Sequence, residues 1–142
     1  MTTIREFRIS DYPAALALWQ SSEGVGLNES DTQPAVASFL TRNPGLSAVA
    51  IHDDQLIGAV LCGHDGRRGY LHHLAVAKSH RRQGVARSLL AHCFAALAGH
   101  DIPKCNIFLY SDNLPGQAFW LHNGWQIRET LRLVQKSVPP AR

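Results

Sequence analysis

The period of the hydrophobic pattern changes several times along the chain, and each change marks a predicted secondary-structure element. Alternating or short apolar runs predict strands at 4–9, 46–52, 55–62, 70–76 and 104–110. Helical spacing after candidate capping residues predicts helices at 10–22, 32–40, 85–98 and 113–123. Apolar residues then recur over 125–134, which predicts a final strand or pair of strands.

The order of these elements predicts the fold class. Asp53-Asp54 joins two apolar runs as a hairpin, so the middle strands form an antiparallel meander that two strand–helix units follow. We therefore expect an α+β fold with α/β/α layers, in which helices cover both faces of a mixed, mainly antiparallel central sheet. A length of 142 residues fits a single domain spanning 1–142.

Composition and charge narrow the class of protein. Hydrophobic residues make up 45% of the chain and charged residues 18%, a balance that permits a packed core and argues against disorder. The net charge of +3 suits an anionic ligand, but without a Lys/Arg block it gives little support to nucleic-acid binding. The three cysteines are isolated, and the sequence has neither a signal-peptide pattern nor an apolar run of membrane length. These features predict a cytoplasmic protein that has neither a membrane nor a nucleic acid as partner.

A basic, glycine-containing turn between a predicted strand and a predicted helix is the strongest local motif. Residues 81–86 read Arg-Arg-Gln-Gly-Val-Ala, shortly after the apolar run 71–76. The first N–H groups of a helix lack intrahelical partners and lie at the positive end of its dipole. Because Gly84 and Ala86 keep side chains small, the turn is a candidate phosphate or pyrophosphate site; the alternative is a solvated basic helix start. It matches neither the P-loop nor the dinucleotide-binding fingerprint.

In this context the chain resembles the GNAT superfamily of N-acetyltransferases over essentially its whole length. The acyl-CoA motif of that family, Arg/Gln-x-x-Gly-x-Gly/Ala after the fourth strand, is matched by residues 81–86. Its second motif is matched at the expected spacing by Asn113, Gly116, Phe119-Trp120 and Gly124-Trp125. The two motifs occur in the family's order, about one strand and one helix apart.

The resemblance implies acetyl-CoA as co-substrate, with no metal. It implies that the backbone of 74–76 pairs with the pantetheine arm and that the amides of 82–87 hold the pyrophosphate, with help from the Ser88 hydroxyl. Asn113 is expected near the pantetheine or the acetyl thioester. The residues expected to bind the co-substrate are Leu74, Ala75, Val76, Arg81, Arg82, Gln83, Gly84, Val85, Ala86, Arg87, Ser88, Asn113 and Trp120.

Acetyl transfer needs a neutral amine, and His72 is the candidate base because histidine titrates near neutrality. The segment 71–76 is similar to the same strand of aralkylamine N-acetyltransferases, where a histidine at this position serves the amine. Strand alternation predicts Tyr70, also a catalytic candidate, on the face of His72, and His73 on the other face. A histidine merely packed on the sheet is the alternative for His72. A metal site at His72 and His73 is disfavoured, since adjacent strand residues point apart.

Trp120 departs from the family pattern, which often has a tyrosine there to protonate the CoA thiolate. An indole N–H can donate a hydrogen bond to sulfur but cannot act as a general acid. Tyr110, at the end of a predicted buried strand, and His122, on a predicted helix surface, are possible substitutes. Phe119 and Trp125 are interpreted as core aromatics.

The acceptor is the least defined part of the prediction. Glu23, Glu29 and Asp31 in a polar loop are either attractive to a cationic amine or simply solvated. We expect direct transfer in a ternary complex to a small amine, a protein N-terminus or a lysine, by a monomer or homodimer. The three cysteines lie in apolar runs, which argues against an acyl-cysteine intermediate. The alternative function is a non-catalytic acyl-CoA-binding sensor or partner module.

Overall fold

Antiparallel pairing joins four strands in chain order, and parallel pairing adds a fifth strand at one edge. The computed structural model describes residues 1–141, and within them the sheet order is β1-β2-β3-β4-β5. The strands are β1 (Thr2–Glu6), β2 (Ala48–His52), β3 (Gln55–His64), β4 (Gly69–Val76) and β5 (Cys105–Ile107). The mixed, mainly antiparallel sheet expected from the sequence is therefore confirmed.

Local sequence explains where the helices begin. They are α1 (Tyr12–Gln20), α2 (Gln33–Arg42), α3 (Val85–Gly99) and α4 (Leu114–His122). The Thr32 side chain accepts a hydrogen bond from the backbone of Ala35 at the start of α2, and proline follows the cap in α1, α2 and α4. No helix in the described part of the chain has both the length and the apolarity needed to cross a bilayer.

Helices pack on both faces of the sheet, as the α/β/α prediction requires. On one face, Trp19 of α1 and Val36 of α2 share a buried cluster with Ala59 of β3. On the other face, α3 lies so close to β3 that a Cβ added at Gly58 would be 3.1 Å from Leu89. Gly58 therefore permits the close approach of helix to strand.

The fold divides into two compact units. The first, Met1–Phe108, contains the whole sheet with α1, α2 and α3. The second unit begins at Leu109 and contains α4.

The expected final strand over 125–134 is wrong. The described residues after α4 contain turns but no strand, and Ile127, Leu131, Leu133 and Val134 are exposed. An apolar pattern predicts which side chains would face a core, but a strand also needs a neighbouring strand to bond its backbone. The fifth strand is likewise shorter than expected, because only Cys105–Ile107 pair with β4.

Candidate active site

The fourth strand has an open edge over the second half of its length. β4 pairs with β3 as far as Val76, but with β5 only through Gly69, Tyr70 and Leu71. Beyond Leu71 the two parallel strands no longer form a ladder, and the predicted residues 74–76 lie in this stretch. An extended ligand could bond to this edge as an added strand. The Val76 carbonyl already accepts a hydrogen bond from Arg81 Nε at 3.1 Å, so the arginine side chain closes the end of the edge.

A bulge interrupts β4 in the middle of the predicted site. Ala75 pairs with Ala59 and His72 pairs with Leu61, so His73 and Leu74 together oppose one residue of β3. His73 has a φ of +57°, in the left-handed region that non-glycine residues seldom adopt. A bulge of this kind turns backbone groups out of the regular ladder, and it falls where the open edge begins.

The bulge overturns the expected position of the His73 side chain. Strict alternation predicted that His73 lies on the face opposite His72. Instead the His73 ring contacts Trp19 of α1, with centroids 5.2 Å apart, and lies 6.4 Å from the His72 ring. His72 contacts Phe39 of α2. The extra residue in the strand cancels one step of alternation, so both imidazoles are on the α1–α2 side.

Two hydrogen bonds hold His73 in this conformation. The indole Nε1 of Trp19 donates to the His73 carbonyl at 2.8 Å. The imidazole Nε2 of His73 lies 2.8 Å from Oδ1 of Asp31. Trp19 is fully buried and the Asp31 side chain is 7% exposed, so water competes little for either bond. We call these three residues the bulge clamp.

The sequence left open that Asp31 is a solvated loop carboxylate. The structure excludes this alternative, because the side chain is buried and hydrogen-bonded. Its Oδ2 accepts from the Asn28 backbone N–H at 2.9 Å, and its carbonyl accepts from the Tyr12 hydroxyl at 2.6 Å. Glu23 and Glu29 are exposed, as expected for loop residues. Sequence reasoning missed the bulge clamp, because Asp31 and His73 are 42 positions apart and no local spacing links them.

His72, the candidate base, lies half-buried among aromatic rings. Its ring centroid is 5.9 Å from Phe39 and 6.3 Å from Phe108. Tyr70 stacks on the same Phe108 at 6.2 Å, which confirms that Tyr70 and His72 share a face. Burial lowers the pKa of His72 and the nearby His73 lowers it further, while Asp31 acts in the opposite direction. The imidazole is therefore neutral at neutral pH and able to accept a proton.

The basic turn brings its predicted residues together at the start of α3. Gly84 is the N-cap, with φ +80° and no side-chain capping bond, and Arg82 also has a positive φ of 63°. The first bond inside the helix runs from the Ser88 N–H to the Gly84 carbonyl. The N–H groups of Val85 and Ala86, in the first turn, therefore have no acceptor within the helix. Residues 81–84 are exposed, so this end of α3 can receive an anion.

In the second unit, Asn113 caps α4. Its Oδ1 accepts a hydrogen bond from the Gly116 backbone N–H at 3.0 Å. A Cβ at Gly116 would lie 2.6 Å from the Asn113 side chain, so glycine leaves room for the cap. The Asn113 side chain thus has a structural role, and its expected contact with pantetheine stays a prediction.

Trp120 forms the centre of an aromatic group within the second unit. It is 7% exposed, and its ring contacts Phe119 at 5.1 Å and Trp125 at 4.7 Å. Tyr110 lies outside any strand and is 59% exposed, so the expectation that it ends a buried strand is wrong. His122 is on the exposed surface of α4, as predicted.

The cysteines are unsuited to act as nucleophiles. Cys62 and Cys93 are buried. The contact with Cys93 and burial raise the pKa of Cys62 far above its usual value, and burial raises the pKa of Cys105 to about 12. Cys62 and Cys105 are therefore thiols at neutral pH, and only the thiolate is an effective nucleophile. Among the described residues, no group of three His, Cys, Asp or Glu side chains is placed to hold a metal ion.

Similar proteins share this architecture. The crystal structure of the PaiA N-acetyltransferase from Thermoplasma acidophilum in complex with coenzyme A superposes with a TM-score of 0.79 at 17% identity, covering 90% of this chain and 91% of that one. Ard1 from Thermoplasma volcanium superposes with a TM-score of 0.78 at 20% identity, covering 89% and 84%. These likenesses establish the fold.

Sequence comparison establishes the family. A protein named acetyltransferase from Yersinia enterocolitica is 30% identical over 110 residues, 78% of this chain and 77% of that protein. A protein of the same name from Pectobacterium atrosepticum is 29% identical over the same shares. The model of the acetyltransferase (GNAT) family matches residues 5–125, which include the basic turn, the β4 bulge and the start of α4. The chain therefore belongs to the GNAT family of acetyltransferases.

Proposed function

We propose that the protein is an N-acetyltransferase that moves an acetyl group from acetyl-CoA directly to an amine, with residues 1–142 acting as one domain. The observation that carries this proposal is the continuity of the open β4 edge with the exposed start of α3. The edge suits the extended, amide-containing pantetheine arm, and the helix start suits the pyrophosphate. Coenzyme A presents these two groups in sequence.

The bulge supplies the electrophilic assistance in this proposal. The Trp19 bond draws the His73 carbonyl toward α1. The Leu74 N–H belongs to the same trans peptide group and points opposite to the His73 carbonyl, so we infer that it is directed away from α1 and toward the open edge. There the N–H would bond the thioester oxygen and stabilise the negative charge that develops on it.

The amine nitrogen then attacks the thioester carbon, and the carbon–sulfur bond breaks as the new carbon–nitrogen bond forms. The proton lost by the amine passes to neutral His72, directly or through water. The CoA thiolate takes a proton from water, and protonated His72 returns its proton to the hydroxide that remains, so the products are the amide and the CoA thiol. The Trp120 indole has no proton to give in this pH range. The protonated thiols of Cys62 and Cys105 favour this direct route over an acyl-enzyme.

An acceptor screen tests the proposed function. Acetyl-CoA and a panel of primary amines are incubated with the protein, free CoA is measured with a thiol reagent, and products are identified by mass. We expect amine-dependent CoA release and intersecting initial-rate lines, which indicate a ternary complex. If acetyl-CoA bound but no amine were acetylated, the result would favour the acyl-CoA-binding module, which the tryptophan at position 120 also suits.

The pH dependence of the rate tests the role of His72. As the pH falls, the imidazole gains a proton and loses the lone pair that a base needs, so kcat/KM should fall. We call this fall in kcat/KM at low pH the acid limb. Because burial and His73 lower the pKa of His72, the midpoint of the acid limb should lie below the usual histidine pKa of about 6.5. His72→Ala should lower kcat/KM about a hundredfold and remove the limb.

The matched control is His100→Ala, which removes an exposed imidazole beyond the end of α3. It should leave both the rate and the acid limb as in the parent. A limb of the same midpoint in His72→Ala would assign the titration to another group.

Replacing Trp120 with tyrosine tests the proposed lack of a general acid. A phenol can give up its proton, so kcat should rise by roughly tenfold, less than an ideally placed acid contributes. Because Trp120 is buried, the smaller ring should also lower the melting temperature. Trp125→Tyr in the same aromatic group is the control, and an equal rise in its kcat would remove the acid interpretation.

A further inference from the structure

An open cavity lies where the end of α1 meets the end of β4. Its volume is about 350 Å³, at the lower end of the range for small-molecule pockets. Leu18, Ser21 and Ser22 line it from the α1 side, and residues 76–79 with Arg81 line it from the β4 side. Residues 82–87, whose amides are proposed to hold the pyrophosphate, do not line it. This space, which we call the α1–β4 cavity, is therefore distinct from the start of α3.

The cavity is lined by two cations and by no acidic residue. Lys78 and Arg81 are both exposed, and the acidic residue nearest in sequence, Glu23, lies outside the lining. Within the part of the chain that the structure describes, the Lys78 ammonium has neither a hydrogen bond nor an ion pair. Arg81 uses only its Nε, which donates to the Val76 carbonyl. Two like charges at one cavity repel each other, and an anion between them would relieve that repulsion.

The end of α1 does not oppose an anion as strongly as a bare helix terminus would. The C-terminal end of a helix is negative because its last carbonyls lack intrahelical donors. Here the hydroxyls of Ser21 and Ser22 both donate to the Leu18 carbonyl, at 3.0 and 2.7 Å. The backbone N–H groups of the same serines donate to the carbonyls of Ala17 and Trp19. Since these carbonyls already have donors, the two cations determine the sign of the charge at the cavity.

We propose that the α1–β4 cavity is a second anion site, which binds a phosphate monoester through the Lys78 ammonium and the terminal nitrogens of Arg81. A phosphate dianion accepts several charge-assisted hydrogen bonds, and these two side chains have the donors to supply them. Two molecules of the reaction could bring such a group to the cavity. Coenzyme A carries a 3′-phosphate on its ribose, and an acceptor amine could itself be phosphorylated. In naming these two sources the inference rests on the proposed function.

Titration of the full chain with methyl phosphate, followed by amide NMR, tests the site and needs no acetyl transfer. We expect the amide signals of Ser22, Ala77 and Ser79 to shift. Lys78→Gln removes the charge and should weaken this binding at least about fivefold, whereas Lys78→Arg should preserve it. Lys104→Gln removes another exposed lysine that does not line the cavity, so it should weaken binding by less than about 1.5-fold. Shifts confined to the start of α3, or equal affinity in Lys78→Gln and the parent, would overturn the inference.

Two ligand pairs then identify the source of the phosphate. If coenzyme A brings it, calorimetry should show the parent binding CoA at least about tenfold more tightly than dephospho-CoA, and Lys78→Gln should reduce this preference to about threefold or less. If the acceptor brings it, kcat/KM for O-phosphoethanolamine should exceed that for ethanolamine, and this advantage should be lost in Lys78→Gln.

The outcomes separate this inference from the proposed function. If neither preference depends on Lys78, the cavity has no part in binding either substrate and the inference is overturned, while acetyl transfer to any amine would leave the transferase proposal intact. If no amine were acetylated, the transferase proposal would fail, and the methyl phosphate titration and the comparison of CoA with dephospho-CoA would still decide on the cavity.

Discussion

Replacing Gly84 with valine is expected to weaken acetyl-CoA binding at least about a hundredfold, which corresponds to about 3 kcal/mol. Apart from its chain neighbours, no atom of the described residues would lie within 4 Å of a Cβ at this position, so the fold itself has room for the side chain. That open space lies over the first turn of α3, where the pyrophosphate is proposed to bind. The valine would occupy the position of the phosphate oxygens and separate them from the helix N–H groups.

The control variant must impose the same backbone strain as Gly84→Val at a position away from the proposed phosphate site. Gly84 has φ +80°, and a branched residue there costs about 1–2 kcal/mol of stability whatever its surroundings. Gly66 has φ +88°, also has nothing within 4 Å, and lies in the turn between β3 and β4. Gly66→Val should therefore lower the melting temperature by a similar amount while calorimetry shows parent-like affinity. Equal affinity losses in the two variants, or none in Gly84→Val, would contradict the proposed phosphate site.

Features that depend on local sequence were predictable. The helix α3 begins at Val85, where the pattern placed it, because the glycine before it permits a left-handed cap and the apolar spacing continues to the end of the helix. The hairpin turn at Asp53 and Asp54 forms with positive φ at both residues. These features arise within a few residues of each other, so periodicity and turn chemistry suffice to find them.

Features that depend on distant contacts were not predictable. The β4 bulge is visible in the sequence only as an apolar strand with two histidines, and regular alternation put His73 on the wrong face. Its conformation depends on bonds from Trp19 and Asp31, which belong to α1 and to the turn before α2. The expected strand over 125–134 failed for a related reason, since pairing needs a partner that the pattern does not specify.

Removing the carboxylate of Asp31 should therefore reduce both stability and turnover. In Asp31→Ala, the partly buried His73 imidazole and the Asn28 N–H lose their acceptor. Breaking a buried pair leaves an uncompensated polar group, and we expect the free energy of unfolding to fall by about 3 kcal/mol in urea denaturation. The freed bulge should also orient the Leu74 N–H less well, so kcat should fall at least about tenfold while KM for acetyl-CoA stays within about twofold.

Comparison with two other aspartate variants separates this effect from a general loss of stability. Asp31→Asn keeps an oxygen acceptor but loses the charge, so it should retain more stability than Asp31→Ala. In both variants the acid limb should shift to lower pH, because the Asp31 charge raises the pKa of His72.

Asp11→Ala is the control, because it breaks the pair with Arg5, whose N–O distance is likewise 2.8 Å. That pair is partly exposed, and its Arg5 lies on β1, which β2 and β3 separate from β4, so its loss should cost about 1 kcal/mol and leave kcat unchanged. If Asp11→Ala lowered kcat as much as Asp31→Ala, or if the acid limb stayed in place, the bulge clamp would be a structural feature with no part in catalysis.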